Sequence, residues 1–392
     1  MDITMKRMFL LIIVCLVSYI ISQCQVYAET VNTINPHLSL PKGCASCHAG
    51  HGVAGTPMLV KNGSSLCFQC HGSAQEQNKA KLSGMLLLSS PIPDVADDFQ
   101  KPSHHPIDTV PYMTVMEQKH GQINTITRHS ECIDCHSPHH IESASVSQIG
   151  QRKMLWFNGG IHYEYELCFK CHANQSFLPY ETDKAIEFNP ANASYHPVES
   201  PGKSYLIPSL IPPWTISSYV NCTDCHSADN TIGGSSPHGS IYAPILNKNY
   251  YKQDGRPESE YAYALCYQCH NRTSILSNQS FLYHREHIVN ANTSCFTCHD
   301  SHGSINYPYL IRFNKDPRFT VVLPNSVGRL NVVFKTQNNV ECFLSCHGVD
   351  HNPTPNMFTS TTNFSKPSLG PLNYNPGMPS PYFNPFPMPY HK

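Results

Sequence analysis

Sixteen cysteines of this chain fall into eight pairs, and a histidine follows each pair directly. Seven pairs read Cys-x-x-Cys-His: Cys44/Cys47/His48, Cys67/Cys70/His71, Cys132/Cys135/His136, Cys168/Cys171/His172, Cys222/Cys225/His226, Cys266/Cys269/His270 and Cys295/Cys298/His299. The eighth carries one more residue between the thiols: Cys342/Cys346/His347. This is the attachment pattern for c-type haem. Two thiols form thioethers to the porphyrin vinyl groups, and the histidine is the proximal iron ligand. Eight sites imply eight covalently attached haem c groups, each with a redox-active iron. The chemistry they offer is electron exchange.

The elements that must position these groups follow from the spacing. On a helical turn, positions i, i+3 and i+4 share one face. Seven sites therefore predict short helices that aim two sulfurs and an imidazole at one porphyrin. The eighth, at i, i+4 and i+5, predicts a slightly distorted turn. Zinc is the alternative owner of Cys-x-x-Cys pairs, but zinc gives no reason for a histidine after every pair.

The N-terminus predicts a secretory signal over residues 1–28. Lys6 and Arg7 precede an apolar run from Met8 to Ile21, and Val26-Tyr27-Ala28 forms a small-residue cleavage site. The run is short for a membrane span, so no transmembrane segment is expected after cleavage. Of 18 cysteines, Cys15 and Cys24 lie in the signal, which leaves two for each of eight haems. Export fits this usage, because oxidised cysteine chemistry belongs outside the cytoplasm.

Removing Asp2, Lys6 and Arg7 leaves 24 basic and 26 acidic residues, a net charge of −2. No basic patch marks a nucleic-acid partner. The chain is proline-rich, with 32 Pro and 21 Gly. The expected fold is a multihaem cytochrome c: mostly irregular coil, short helices at the haem motifs, little sheet and a haem-stack core. Leu155-Trp156-Phe157 and Phe319 to Leu323 are candidate short strands.

Self-alignment resolves the motifs into four dihaem modules over about 37–71, 105–172, 196–270 and 284–347, within an electron-transfer domain of 29–351. The first member of a module is followed by a second histidine, as in Cys47-His48-Ala-Gly-His51-Gly52. The second often begins Leu-Cys-aromatic, as in Leu66-Cys67-Phe68. Residues 352–392 hold ten prolines and seven Phe or Tyr, a composition of extended, polyproline-like chain. That tail is either disordered or an arm docking onto a neighbouring subunit.

Sixteen of the 24 histidines remain for the distal iron positions. The post-motif group is His51, His139, His238 and His302, assigned to the second haem of each module. The upstream group is His37, His105, His196 and His287, assigned to the first. His284 can replace His287, His104 can replace His105, and His140 can replace His139. His120, His129, His162, His351 and His391 receive no role, and Met58 is read as a packing residue. Histidine at both axial positions would keep the potential lower than methionine.

The pattern Cys-x-x-Cys-His-x-x-His-Gly, followed by Leu-Cys-aromatic-x-Cys-His, resembles the doubled-CXXCH multihaem c-type cytochromes. The resemblance covers residues 37–351. It implies an electron carrier of the periplasm or outer surface, or the subunit of an extracellular conductive filament. The partners it implies are redox proteins or extracellular electron acceptors. In a filament the chain would be a homopolymer, with His37 or His51 supplied to a neighbouring subunit. The rival is a multihaem oxidoreductase of the nitrite, hydroxylamine or tetrathionate type. Such an enzyme needs an open iron position, whereas the histidine supply here can cap every iron and no catalytic residue is singled out. A monomeric periplasmic carrier is the further alternative.

Overall fold

The computed structural model describes residues 37, 39–52, 58–61, 63–87, 92–107, 130–139, 161–173, 183–229, 236–316, 318–335 and 340–352, together with the backbone of 153–157. The signal sequence, the 353–392 tail and His120, His129, His140 and His391 lie outside these residues. Among the described residues, no helix is long and apolar enough to cross a membrane.

Coil dominates, as the proline content dictates. Seven short helical turns carry the first seven motifs: a 3-10 turn at Gly43–Ser46, then Gly63–His71, Cys132–Cys135, Glu164–His172, Cys222–Cys225, Ala264–Tyr267 and Cys295–Cys298. Two of them are closed by an acid inside the motif. Asp134 accepts from the Glu131 amide at 2.7 Å, and Asp224 from the Asn221 amide at 2.8 Å. Each caps the first turn of its own helix.

Among the described residues, nine strands form four small antiparallel sheets: β1 Ser103–His104 with β5 Gly239–Ser240, β2 Lys153–Phe157 with β3 Ile161–Tyr163, β4 Ser194–Tyr195 with β6 Gly303–Ser304, and β7 Asn331–Phe334, β8 Val340–Cys346 and β9 Val349–His351 in that order. Leu155 to Phe157 are strand, as expected. Phe319 to Leu323 are not. Only Leu323 forms a bridge, to Ser345.

Two apolar clusters sit against the sulfurs rather than apart from them. Leu246, Tyr250, Tyr263, Leu265 and Ile288 pack beside Cys225, Cys266 and Cys295. Phe313, Val322, Val332 and Leu344 pack beside Cys298, Cys342 and Cys346. Leu265 of the Leu-Cys-aromatic motif is thus a core residue.

The eighth motif is not a turn. Cys342 and Cys346 both lie on β8, and His347 with Gly348 makes the two-residue loop to β9. Both loop residues have positive φ, 51° and 76°. This is the conformation that a two-residue antiparallel hairpin favours. The physical reason for the departure is parity. A strand has a side-chain period of two, so Cys-x-x-Cys would put its thiols on opposite faces. The inserted residue makes the spacing even and returns both thiols to one face.

Candidate functional site

Each of the first seven motif histidines leaves its helical turn with its backbone amide held. His48, His136, His226, His270 and His299 each bond the carbonyl of their motif's first cysteine at 2.8–3.0 Å. The imidazoles then face other imidazoles. His48 pairs with His139, His71 with His37, His136 with His238, and His172 with His105. His226 pairs with His302, His270 with His196, and His299 with His284. An eighth pair joins His287 and His351. All eight ring-centre separations fall between 6.0 and 6.5 Å.

That separation has a chemical meaning. Metal–imidazole bonds run about 2.0–2.1 Å and a ring nitrogen lies roughly 1.1 Å from its centre, so two rings on opposite sides of one metal stand about 6.3 Å apart. Ordinary aromatic pairs also reach this range here, as Phe169 and Phe188 do at 6.4 Å, so the distinguishing feature is that each of the first seven motif histidines meets another histidine at it. The residues present therefore fit an iron between each pair.

The second nitrogen of many rings is already held. His37, His105 and His196 bond through Nδ1 to the carbonyls of Pro138, Pro237 and Ser301, the residues just before His139, His238 and His302. The backbone repeats this link. The amides of His105 and His196 donate to the carbonyls of His238 and His302 at 3.2 and 2.9 Å. The β1–β5 and β4–β6 ladders are these same contacts extended by Ser103–His104 and Ser194–Tyr195. Nδ1 of His226 and His299 is held by the carbonyls of Pro244 and Tyr309, both at 2.9 Å. A held Nδ1–H fixes the tautomer and leaves Nε2 to a metal. Burial pushes His226, His238 and His270 down to about 4, so their rings are neutral near pH 7 with a lone pair to give.

The expected division of distal histidines is reversed. The upstream residues His37, His105 and His196 face the second motif histidine of their own module. The post-motif residues His139, His238 and His302 face the first motif histidine of the preceding module. The reason is the ladder: an upstream and a post-motif histidine are paired side by side, so they reach two neighbouring sites. In the last module His284, not His287, faces His299. His51 pairs with no histidine ring among the described residues, and His104 bonds the Lys101 carbonyl at 2.6 Å instead.

Sequence reasoning missed the supports beneath the post-motif histidines. Phe99 lies 5.2 Å from the His238 ring and Phe188 lies 5.4 Å from His302. Each follows an acid, Asp98 or Glu187, that is almost fully buried and paired with Lys101 or Lys184. The signal was a repeated acid–Phe dipeptide upstream of His105 and His196. His302 Nδ1 sits 3.3 Å from Asp300 and 3.4 Å from Glu187, and Arg312 binds both carboxylates. These three ligand types lie close enough to share a cation. Lys184 and Arg312 already balance the two acids, so the group works as a clamp on His302.

The cysteines connect in chain order. The thiols of Cys67 and Cys132, Cys168 and Cys222, and Cys266 and Cys295 are neighbours across module boundaries. Within modules, Cys47 lies near Cys70, Cys135 near Cys168, Cys225 near Cys269, and Cys298 near Cys342.

His347, expected as the eighth proximal ligand, is placed differently from the other seven. Its Nε2 meets the Asp254 carboxylate at 2.5 Å, and no histidine ring faces it among the described residues. Asp254 also accepts from the Ser294 amide at 2.6 Å and the Thr297 hydroxyl at 2.7 Å. The bond to Asp254 holds His347 above the ordinary imidazole value, opposite to His226 and His270.

Residues 37–76 match a family model described as the doubled CXXCH motif. The matched segment is the first module, from His37 through His71. It supports a multihaem c-type cytochrome in electron transfer. No curated protein and no solved structure matches the chain.

Proposed function

We propose that this chain is an octahaem c-type cytochrome that relays electrons along a line of haems ligated by two histidines each. The observation that carries this is the set of eight imidazole pairs at a metal-bridging separation. Each cysteine adds its S–H across one porphyrin vinyl group, forming a C–S bond with no atom lost. When bound, each haem supplies one-electron exchange between ferrous and ferric iron. The chain's own residues set axial ligands, tautomers and spacing. An imidazole held on each side of the group would leave no open position for a substrate, which would favour electron transfer over turnover. The chain-order contacts between cysteines support a path running from the first site to the eighth.

The test is intact mass together with spectroscopy of the holoprotein. The expected result is eight haems per chain, all low-spin, with no carbon monoxide binding after reduction. A substantial high-spin signal in the unmodified protein would sink the reading in favour of an oxidoreductase.

We further propose secretion and head-to-tail assembly into a filament. His139, His238 and His302 each reach back into the preceding module. His51 occupies the same motif position in the first module, where a second copy of the chain would supply the module it reaches back to. In such a polymer His51 competes with His284 for the site of His299. Electron microscopy of native secreted material is the test. Filaments that vanish on His51→Ala support it, and soluble monomers alone refute it.

A further inference from the structure

The eighth haem site has two candidate histidines on the β7–β9 sheet, and the geometry separates them. In an antiparallel pair, directly opposite residues project from the same face. On β8, Val340, Cys342, Leu344 and Cys346 share one face by their even spacing. Val332 opposes Cys342, His351 opposes Leu344, and Val349 opposes Cys346. His351 therefore belongs to the face that carries both thiols, opposite the residue midway between them. The apolar cluster of Val332 and Leu344 packs on that same face beside Cys298, Cys342 and Cys346.

His347 fails the same comparison on two counts. It sits in the loop, off the strand face, at an odd offset from Cys342. Its Nε2, the atom left open in the rings held at Nδ1, is taken by Asp254. Among the described residues, His351 has the facing histidine that His347 lacks. Its ring centre stands 6.2 Å from that of His287, within the range of the other seven pairs. His287 is set like a ligand, with Nδ1 held by the Tyr283 carbonyl at 2.8 Å.

We infer that the eighth haem, attached through Cys342 and Cys346, is ligated by His351 and His287, and that His347 is a structural loop residue anchored to Asp254. This rests on the octahaem reading above. It makes the site a Cys-x3-Cys-x4-His arrangement built on a β-hairpin rather than a helical turn. The added residue between the thiols and the four residues before His351 are then one adaptation. The first restores thiol parity on a strand, and the second carries the chain round the hairpin so that a histidine returns to the thiol face.

The experiment uses full-length holoprotein. Intact mass of the unmodified chain comes first, since fewer than eight haems would refute the octahaem reading itself. His351→Gly and His287→Gly are then compared with His347→Asn by electron paramagnetic resonance and carbon monoxide titration. On this proposal the two glycine variants each keep eight haems and show one high-spin, carbon monoxide-binding haem per chain. Added imidazole returns that haem to low spin, which a merely disrupted fold would not allow. His347→Asn keeps eight low-spin haems. A His351→Gly protein that stays fully low-spin would overturn the proposal. So would a His347→Asn protein that gains a high-spin haem or retains only seven.

Discussion

His226 and His302 face each other with ring planes 7° apart and centres 6.2 Å apart, although they come from different modules. One follows the first thiol pair of the third module, and the other trails the first pair of the fourth. If they share an iron, His302→Ala opens one coordination position and no other. The expected outcome is a single high-spin, carbon monoxide-binding haem per chain, with the remaining seven unchanged. Electron paramagnetic resonance of the intact variant checks this, and an entirely low-spin spectrum would refute the pairing.

Gly239 and Gly303 are required by close approach. A Cβ at Gly239 would lie 1.8 Å from the Asp98 carbonyl oxygen, and one at Gly303 would lie 1.9 Å from that of Glu187. These glycines follow His238 and His302 and let the ladders close. Gly239→Ala and Gly303→Ala should each cost about 1–3 kcal/mol, the usual range for overpacking. Thermal unfolding followed by circular dichroism measures it, and an unshifted midpoint would count against the drawn contact.

The carboxylates on His302 Nδ1 should tune one redox centre. A carboxylate partner makes the imidazole a stronger donor, which favours ferric iron. Asp300→Asn weakens that partner, so one of the eight potentials should rise. A tenfold change in the ferric-to-ferrous preference corresponds to about 59 mV for a one-electron couple. Spectropotentiometry would show this as one component moving upward. A uniform shift of all components, or none, would exclude the role.

Glu258 ties the motif aromatic Tyr267 to Arg272. Arg272 grips both carboxylate oxygens, at 2.8 and 2.5 Å, and the Tyr267 hydroxyl donates at 2.9 Å. Burial alone would raise this carboxyl, but these donors outweigh it and hold Glu258 below the usual carboxylate value. A lowered folded-state value means the stabilisation is present above the ordinary carboxylate range and is lost as pH falls through the folded value. Glu258→Gln should cost about 1–3 kcal/mol at neutral pH by weakening charged hydrogen bonds. The gap between variant and parent should narrow in acid. Equal pH profiles for the two proteins would contradict this.

The sequence was most legible where chemistry is local. Cys-x-x-Cys-His is a one-turn motif, so seven helical turns and the thiol positions followed from spacing alone. The participation of His105, His139, His196, His238 and His302 in ring pairs was also legible from their repeat positions. Which ring each would face was not, because that is decided by β1–β5 and β4–β6, ladders of two residues with no strand signature. Asp98-Phe99 and Glu187-Phe188 escaped notice because an acid beside a phenylalanine looks ordinary until its carbonyl is seen against a glycine. At the eighth site the extra residue was visible, but its reason was not. Helix and strand both tolerate an i, i+4 pair on one face, and only the hairpin tells them apart.

The backward reach of His139, His238 and His302 has a consequence for how such a chain matures. If the chain is exported N-terminus first, the first thiol pair of each of the first three modules would emerge before the histidine that faces it. Each of those three sites would stay substitution-labile until the following module emerged and locked it. Maturation would then advance as a delayed closure, one module behind translocation. The fourth module, whose partners His284, His287 and His351 all lie within residues 284–351, would be the only one able to finish itself.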